Sequence, residues 1–214
     1  MFEDALREKL KAILKKITPV VREERFYLAG GTGLALQTGH RVSEDLDFFR
    51  DVSFDPNSLF FALQSKTDSS EEVVIETRTL LAILEGARCS FFFYEMPLIY
   101  EPVVFEGLNV ADWRDIAAEK FKTVSQRGSK KDFYDIFAVI KSKRLTVEEA
   151  VSIFHRRFGQ TGLNTYHVLR SLTYFEDADG EPDPSMLKGY TFTWEEVKSF
   201  FVKSIKEFER CFKK

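Results

Sequence analysis

Two stretches of the sequence carry residue types able to hold a phosphate and a metal ion. The first is Tyr27-Leu-Ala-Gly-Gly-Thr-Gly-Leu-Ala-Leu36. An apolar run meets two glycines, and a threonine then opens a helical pattern. Glycine lets backbone N–H groups approach an anion, and a helix N-terminus adds unpaired donors and a favourable dipole. Gly30, Gly31 and Thr32 are therefore candidates for a phosphate cradle. No Gly-Lys-Ser/Thr follows, which excludes a Walker A loop. A tight strand-to-helix turn with no ligand would use the same residues. The second stretch is His40-Arg-Val-Ser-Glu-Asp-Leu-Asp-Phe-Phe49. On a strand, residues two apart share a face, so Asp45 and Asp47 would aim two carboxylates at one spot. Leu46, Phe48 and Phe49 would supply apolar packing. Neighbouring carboxylates repel unless a divalent cation holds them. All-oxygen ligation suits Mg²⁺, or Mn²⁺ in its place. A solvated acidic turn is the plain alternative, and it leaves the acid inside an apolar strand unexplained.

A phosphate cradle followed by a paired acid is what nucleotidyl transfer needs, because a metal must neutralise phosphate oxygens beside their binding site. A third stretch adds to this. Lys120, Lys122, Arg127, Lys130 and Lys131 form a local basic cluster in a chain of net charge −3. Such a cluster attracts phosphates or an RNA backbone. Asp132 and Asp135 lie on one helix face. An ordinary solvated face with ion pairs would read the same way. Two other basic groups, Lys141/Lys143/Arg144 and His155/Arg156/Arg157, read as plain surface.

On these residues the chain resembles the AbiE-type (AbiEii-like) toxin branch of the nucleotidyltransferase superfamily, found in type IV toxin–antitoxin systems. The pattern Gly-Gly-Thr-x-Leu-Ala-Leu followed by His-Arg-x-Ser-x-Asp-Leu-Asp-Phe-Phe carries the first half of the likeness. Ala117 to Asp135, with a Lys, then Arg, then Asp-x-x-Asp, carries the second. The likeness covers most of the chain and weakens after about Leu145. It implies that Gly30, Gly31 and Thr32 hold nucleotide phosphates, with Arg41 and Ser43 lining the same site. It implies that Asp45 and Asp47 bind Mg²⁺ and that Lys120 reaches the triphosphate. Arg127, Asp132 and Asp135 would belong to a helical signature that closes the site, with Asp132 the better catalytic candidate. The implied reaction moves a nucleoside monophosphate from an NTP to a hydroxyl of RNA, a tRNA end among the candidates, or of protein. The implied partner is a cognate antitoxin.

One feature departs from that pattern. Many polymerase-like transferases place a third carboxylate on a later strand. Here Ala87–Tyr94 has Ser90 and Phe92 where an acid is expected. Either Asp132 or Asp135 substitutes, or turnover is weakened. Two rival functions follow. One is a catalytically degenerate nucleotide- or partner-binding module. The other is a Mg-dependent phosphotransferase or phosphohydrolase using the same acids.

The elements that must position these residues read as α+β. A nucleotidyltransferase-like mixed sheet flanked by helices is expected over 1–108. A helical domain over 109–214 is expected to contribute to the active-site cleft. Apolar spacing predicts a helix over 2–17 that Pro19 stops. A short strand is expected at 25–29, a helix from Thr32, a strand at 46–49 and a helix over 56–64 with Asp55 as N-cap. Short β-rich runs fill 72–105, with a turn at Glu85-Gly86. Helices are expected from Asp112 to Gln126 and from Lys130 to Lys141. Capping-box patterns at Thr146/Glu149 and Thr193/Glu196 mark two more starts. Residues 176–189 read as a mobile loop.

Composition bounds the function classes. The 214 residues, 44% hydrophobic and 30% charged, suit a soluble globular protein with a core rich in its 22 phenylalanines. The acidic balance argues against a protein that coats nucleic acid. Cys89 and Cys211 form no CxxC, which fits a reducing cytoplasm and no zinc site. His40, His155 and His167 are too scattered for a metal cluster. No signal peptide and no membrane span are read, so a cytoplasmic protein is expected.

Overall fold

The computed structural model describes residues 1–213. They form two units, Met1–Asp112 and the segment from Trp113 onward. The first is built on a seven-stranded sheet. Its strands are β1 (Tyr27–Leu28), β2 (Asp45–Arg50), β3 (Ser70–Glu76), β4 (Thr79–Leu84), β5 (Ala87–Phe93), β6 (Val103–Phe105) and β7 (Leu108–Val110), in spatial order β3-β4-β5-β2-β1-β7-β6. β3, β4 and β5 make an antiparallel meander. β5 then lies parallel to β2, and β1 is antiparallel to β2 and parallel to β7. The sheet is thus mixed. Two Glu-Gly turns close the β4–β5 and β6–β7 hairpins. Glu85 and Gly86 have φ of 49° and 75°, and Glu106 and Gly107 have 46° and 80°. Two successive left-handed residues give the turn twist that a two-residue hairpin prefers.

One face of this sheet is the core. Leu46, Phe48, Leu80, Leu84 and Phe91 are fully buried there. Phe48 and Phe91 stack at 4.9 Å. Helices α1 (Glu8–Glu23) and α3 (Pro56–Gln64) pack against the sheet strands. Asp55 caps α3, accepting from the Asn57 N–H at 3.1 Å. Fully burying one such aromatic ring is worth about 1.5–3 kcal/mol.

Three expectations change here. Pro19 does not stop α1, which runs through it to Glu23. Proline removes one helical hydrogen bond, and the burial of Val20 and Val21 just beyond it offsets that loss. Residues before Glu8 are not part of this helix. They make a short turn, and Leu6 bridges Ser43. Helix α2 (Gly30–Thr38) begins at the first glycine rather than at Thr32. The expected division after Leu108 falls inside β7, whose Val110 pairs with Leu28 of β1. The two units therefore divide after Asp112.

The second unit is helical: α4 (Trp113–Arg127), α5 (Lys130–Ser142), α6 (Val147–Phe158), α7 (Thr165–Ser171), α8 (Glu176–Asp179) and α9 (Trp194–Phe212). Both capping boxes form, at Thr146/Glu149 and Thr193/Glu196. Its core is aromatic, with Phe133, Phe154, Phe158, Phe201 and Phe208 fully buried. Residues 176–189 are not a plain loop. They include α8, and Glu181 accepts from the Ser129 hydroxyl and the Lys130 N–H at 3.0 and 2.8 Å. Arg157, expected on the surface, is buried and donates to Asp115 and Glu119 at 2.6 and 2.8 Å. A buried guanidinium needs such partners. Among the described residues no helix is long and apolar enough to cross a membrane.

Candidate nucleotide and metal site

Alternation along β2 sets the site in the first unit. Leu46 and Phe48 point into the core, while Asp45 and Asp47 are half-buried on the opposite face. The chain enters α2 pinned to this strand, because the Ala29 N–H donates to the Asp47 carbonyl at 2.9 Å. Gly30 then turns at φ 59°. A Cβ on Gly30 would run into the Asp47 carboxylate, with the Asp47 Cβ and Cγ only 3.1 Å away. A Cβ on Gly31 would likewise meet the Arg41 guanidinium, whose Cζ is 3.3 Å away. The Asp47 carboxylate and the Arg41 guanidinium thus both close on the first turn of α2, and the positive φ of Gly30 itself favours glycine.

Thr32 and Ser43 fasten that turn. The Thr32 hydroxyl donates to the Asp45 carbonyl and shares a 2.6 Å hydrogen bond with the Ser43 hydroxyl. Thr32 donates its one proton to Asp45, so Ser43 is the donor in the second bond. Both hydroxyls are buried and tie helix to strand. A phosphate at this turn would therefore meet backbone N–H groups and the neighbouring charges. Arg41 is only 4% exposed, and its Nη1 donates to the Val42 carbonyl at 3.2 Å. His40 just before it is fully buried, 2.6 Å from the Thr38 hydroxyl through Nδ1. That hydroxyl donates to the Leu34 carbonyl, so His40 Nδ1 carries the proton toward Thr38.

The partner strand adds residues that spacing alone did not reveal. β2 and β5 pair in register, with Arg88 beside Asp45 and Ser90 beside Asp47. The position next to Asp47 thus holds a hydroxyl rather than a third carboxylate. Arg88 was missed by sequence reasoning, and only the strand pairing identifies it. On the core side of β5, burial pushes the Cys89 thiol up to about 12, and the charges of Asp47 and Asp45 push the same way. Cys89 is therefore no nucleophile at neutral pH.

The donor set fits a hard divalent cation held on one side only. Two carboxylates share a half-exposed strand face, and Mg²⁺ commonly takes one or two carboxylates, substrate phosphate oxygens and waters. Among the described residues no group of three or more His, Cys, Asp or Glu forms an all-protein cage.

The other expected site residues come together in the second unit. Lys120 Nζ lies 2.7 Å from Asp132 Oδ1 and 2.6 Å from Asp135 Oδ2. Arg127 donates from Nε to Asp132 Oδ2 at 2.9 Å and from Nη2 to Oδ1 at 3.2 Å. Asp132 and Asp135 are fully buried and Lys120 is 6% exposed, whereas the Arg127 side chain is 63% exposed. Burial pushes the Asp132 carboxyl up, but Lys120 and Arg127 outweigh it and hold it below the usual carboxylate range. The basic cluster expected around them is largely neutralised. Lys122 pairs with Glu119, and Lys130 is buried against Asp183 and the Trp194 ring.

Comparison with known proteins follows the same lines. Residues 12–93, which span the turn and both acids, match the family described as nucleotidyl transferase AbiEii toxin, Type IV TA system. The uncharacterized protein aq_aa25 of Aquifex aeolicus (strain VF5) is 32% identical over 210 residues, covering 95% of this chain and 97% of its own. Among solved structures, JHP933 from Helicobacter pylori is similar at a TM-score of 0.54 and 16% identity, covering 96% of this chain and 95% of that one. The antibiotic-resistance factor ANT(2'')-Ia is similar at 0.53 and 13% identity, covering 73% and 95%. At these identities the structural likeness is one of fold.

Proposed function

The chain belongs to the AbiEii nucleotidyl transferase family of type IV toxin–antitoxin systems, and on that premise we propose that it transfers a nucleoside monophosphate from an NTP to a hydroxyl of RNA. A tRNA end is the first acceptor to test, and a protein hydroxyl the second. The acceptor oxygen bonds to the α-phosphorus as the bond to pyrophosphate breaks. The hydroxyl proton passes to solvent. Backbone N–H groups at Gly30 and Gly31 bind phosphate at the start of α2. Asp45 and Asp47 hold Mg²⁺ or Mn²⁺, which when bound neutralises charge on the phosphate oxygens. Arg41 and Ser43 keep the turn and strand in place. Lys120 and Asp132 are assigned to catalysis, and Arg127 and Asp135 to substrate binding and its support. A cognate antitoxin is the protein partner this role requires.

One observation carries the reading: the Asp47 carboxylate closes on Gly30, the first residue of α2. This puts a candidate metal ligand against a candidate phosphate cradle. The test incubates the chain with each labelled NTP, Mg²⁺ and bulk tRNA, beside Asp47→Ala. Label should enter tRNA or protein and fall by about 100-fold or more in the variant. Ser90 beside Asp47 favours a second reading, a nucleotide-binding module without turnover. Binding of NTP with no transfer would support that module. Release of free phosphate would instead indicate a phosphohydrolase.

A further inference from the structure

The sheet face that carries the two carboxylates also carries a cation. Arg88 lies beside Asp45 in the β2–β5 register, and Phe92 lies beside Phe49 further along. Phe49 and Phe92 stack at 5.2 Å, as residues sharing a face should. Adjacent strands are about 4.8 Å apart, and an extended arginine side chain reaches further than that. Its guanidinium is thus within range of oxygens gathered at Asp45 and Asp47.

Four cations stand at candidate site residues, and they differ. Arg127 is exposed but donates to Asp132 at 2.9 and 3.2 Å. Arg41 is buried and donates to the Val42 carbonyl. Lys120 is closed in by Asp132 and Asp135. Arg88 is exposed, and among the described residues its side chain makes no hydrogen bond, ion pair or ring contact. It also stands next to Ser90, where a third carboxylate would help hold a second divalent ion. Two carboxylates alone supply protein ligands for one divalent ion. A second ion would lack a ligand from the protein. A guanidinium needs none, and its planar fork suits phosphate oxygens.

Resting on the transfer reaction above, we propose that Arg88 binds the triphosphate of the incoming nucleotide. It supplies there the positive charge that a second divalent ion supplies in a three-carboxylate site. As the acceptor oxygen bonds to the α-phosphorus, the departing pyrophosphate keeps the electron pair, and Arg88 neutralises part of that charge. The chain therefore works with a single divalent ion.

The experiment measures Mn²⁺ binding by electron paramagnetic resonance on the full chain, with and without a non-hydrolysable NTP analogue. Wild type should bind one Mn²⁺ per chain. Arg88→Ala should keep that ion and lose about 10- to 100-fold in affinity for the analogue, with Arg88→Lys in between. The double variant Arg88→Ala, Ser90→Asp should gain a second Mn²⁺. Two ions on wild type, or unchanged analogue affinity in Arg88→Ala, would overturn the role of Arg88 alone. Wild type that binds neither Mn²⁺ nor the analogue would overturn the transferase reading with it.

Discussion

The molecule holds two pairs of aspartates, and it treats them oppositely. Asp45 and Asp47 stand two apart on a strand, half-buried, against a glycine turn. Asp132 and Asp135 stand three apart on a helix, fully buried, clamped by Lys120 and, at Asp132, also by Arg127. The fold gives the helical pair, which includes the proposed catalytic Asp132, a closed setting. It surrounds them with cations and excludes water. The strand pair keeps its face partly open, which is the arrangement a metal ion can enter. Burial thus separates the two pairs: the helical carboxylates are closed off from solvent, and the strand carboxylates stay partly open.

The largest break in that comparison is removal of Lys120. Lys120→Met removes the cation that both buried carboxylates share and should cost about 3–5 kcal/mol of stability. Denaturant unfolding measures this. A loss below about 1 kcal/mol would mean that the network is solvated, like surface pairs.

A smaller effect is expected with acid. Asp132 is held below the usual carboxylate range in the folded chain. Its contribution to stability is therefore fully present above the unfolded-state value, near 3.9, and is lost as pH falls through the lower folded value. Asp132→Asn should flatten the decline of the melting temperature on the acid side of that window. An unchanged acid limb would mean that Asp132 is not held ionised by its neighbours.

How much of this was legible depended on distance along the chain. The alternation of Asp45, Leu46, Asp47 and Phe48 is local, and the strand it forms has the faces it implied. The two capping boxes are local too, and both form. The demand for glycine at Gly30 was also visible, although the side chain that imposes it, Asp47, lies a strand away. Arg88 and Ser90 took their meaning only from a parallel pairing of distant segments, which no spacing within one strand reveals. Arg157 and Lys130 read as surface or ligand-binding cations because burial of a charge depends on partners from other helices. Pro19 misled because the rule for proline counts a lost hydrogen bond, whereas Val20 and Val21 show the packing gained beyond it.

The contrast between the two acid pairs has one direct test. Mn²⁺ binding to the full chain is measured for wild type, Asp47→Asn and Asp135→Asn, with folding of each verified by circular dichroism. The ion should bind wild type and Asp135→Asn alike, and binding should weaken by about 10- to 100-fold in Asp47→Asn. Equal binding by Asp47→Asn and wild type, or loss of the ion in Asp135→Asn alone, would contradict the assignment of the strand pair as the metal site.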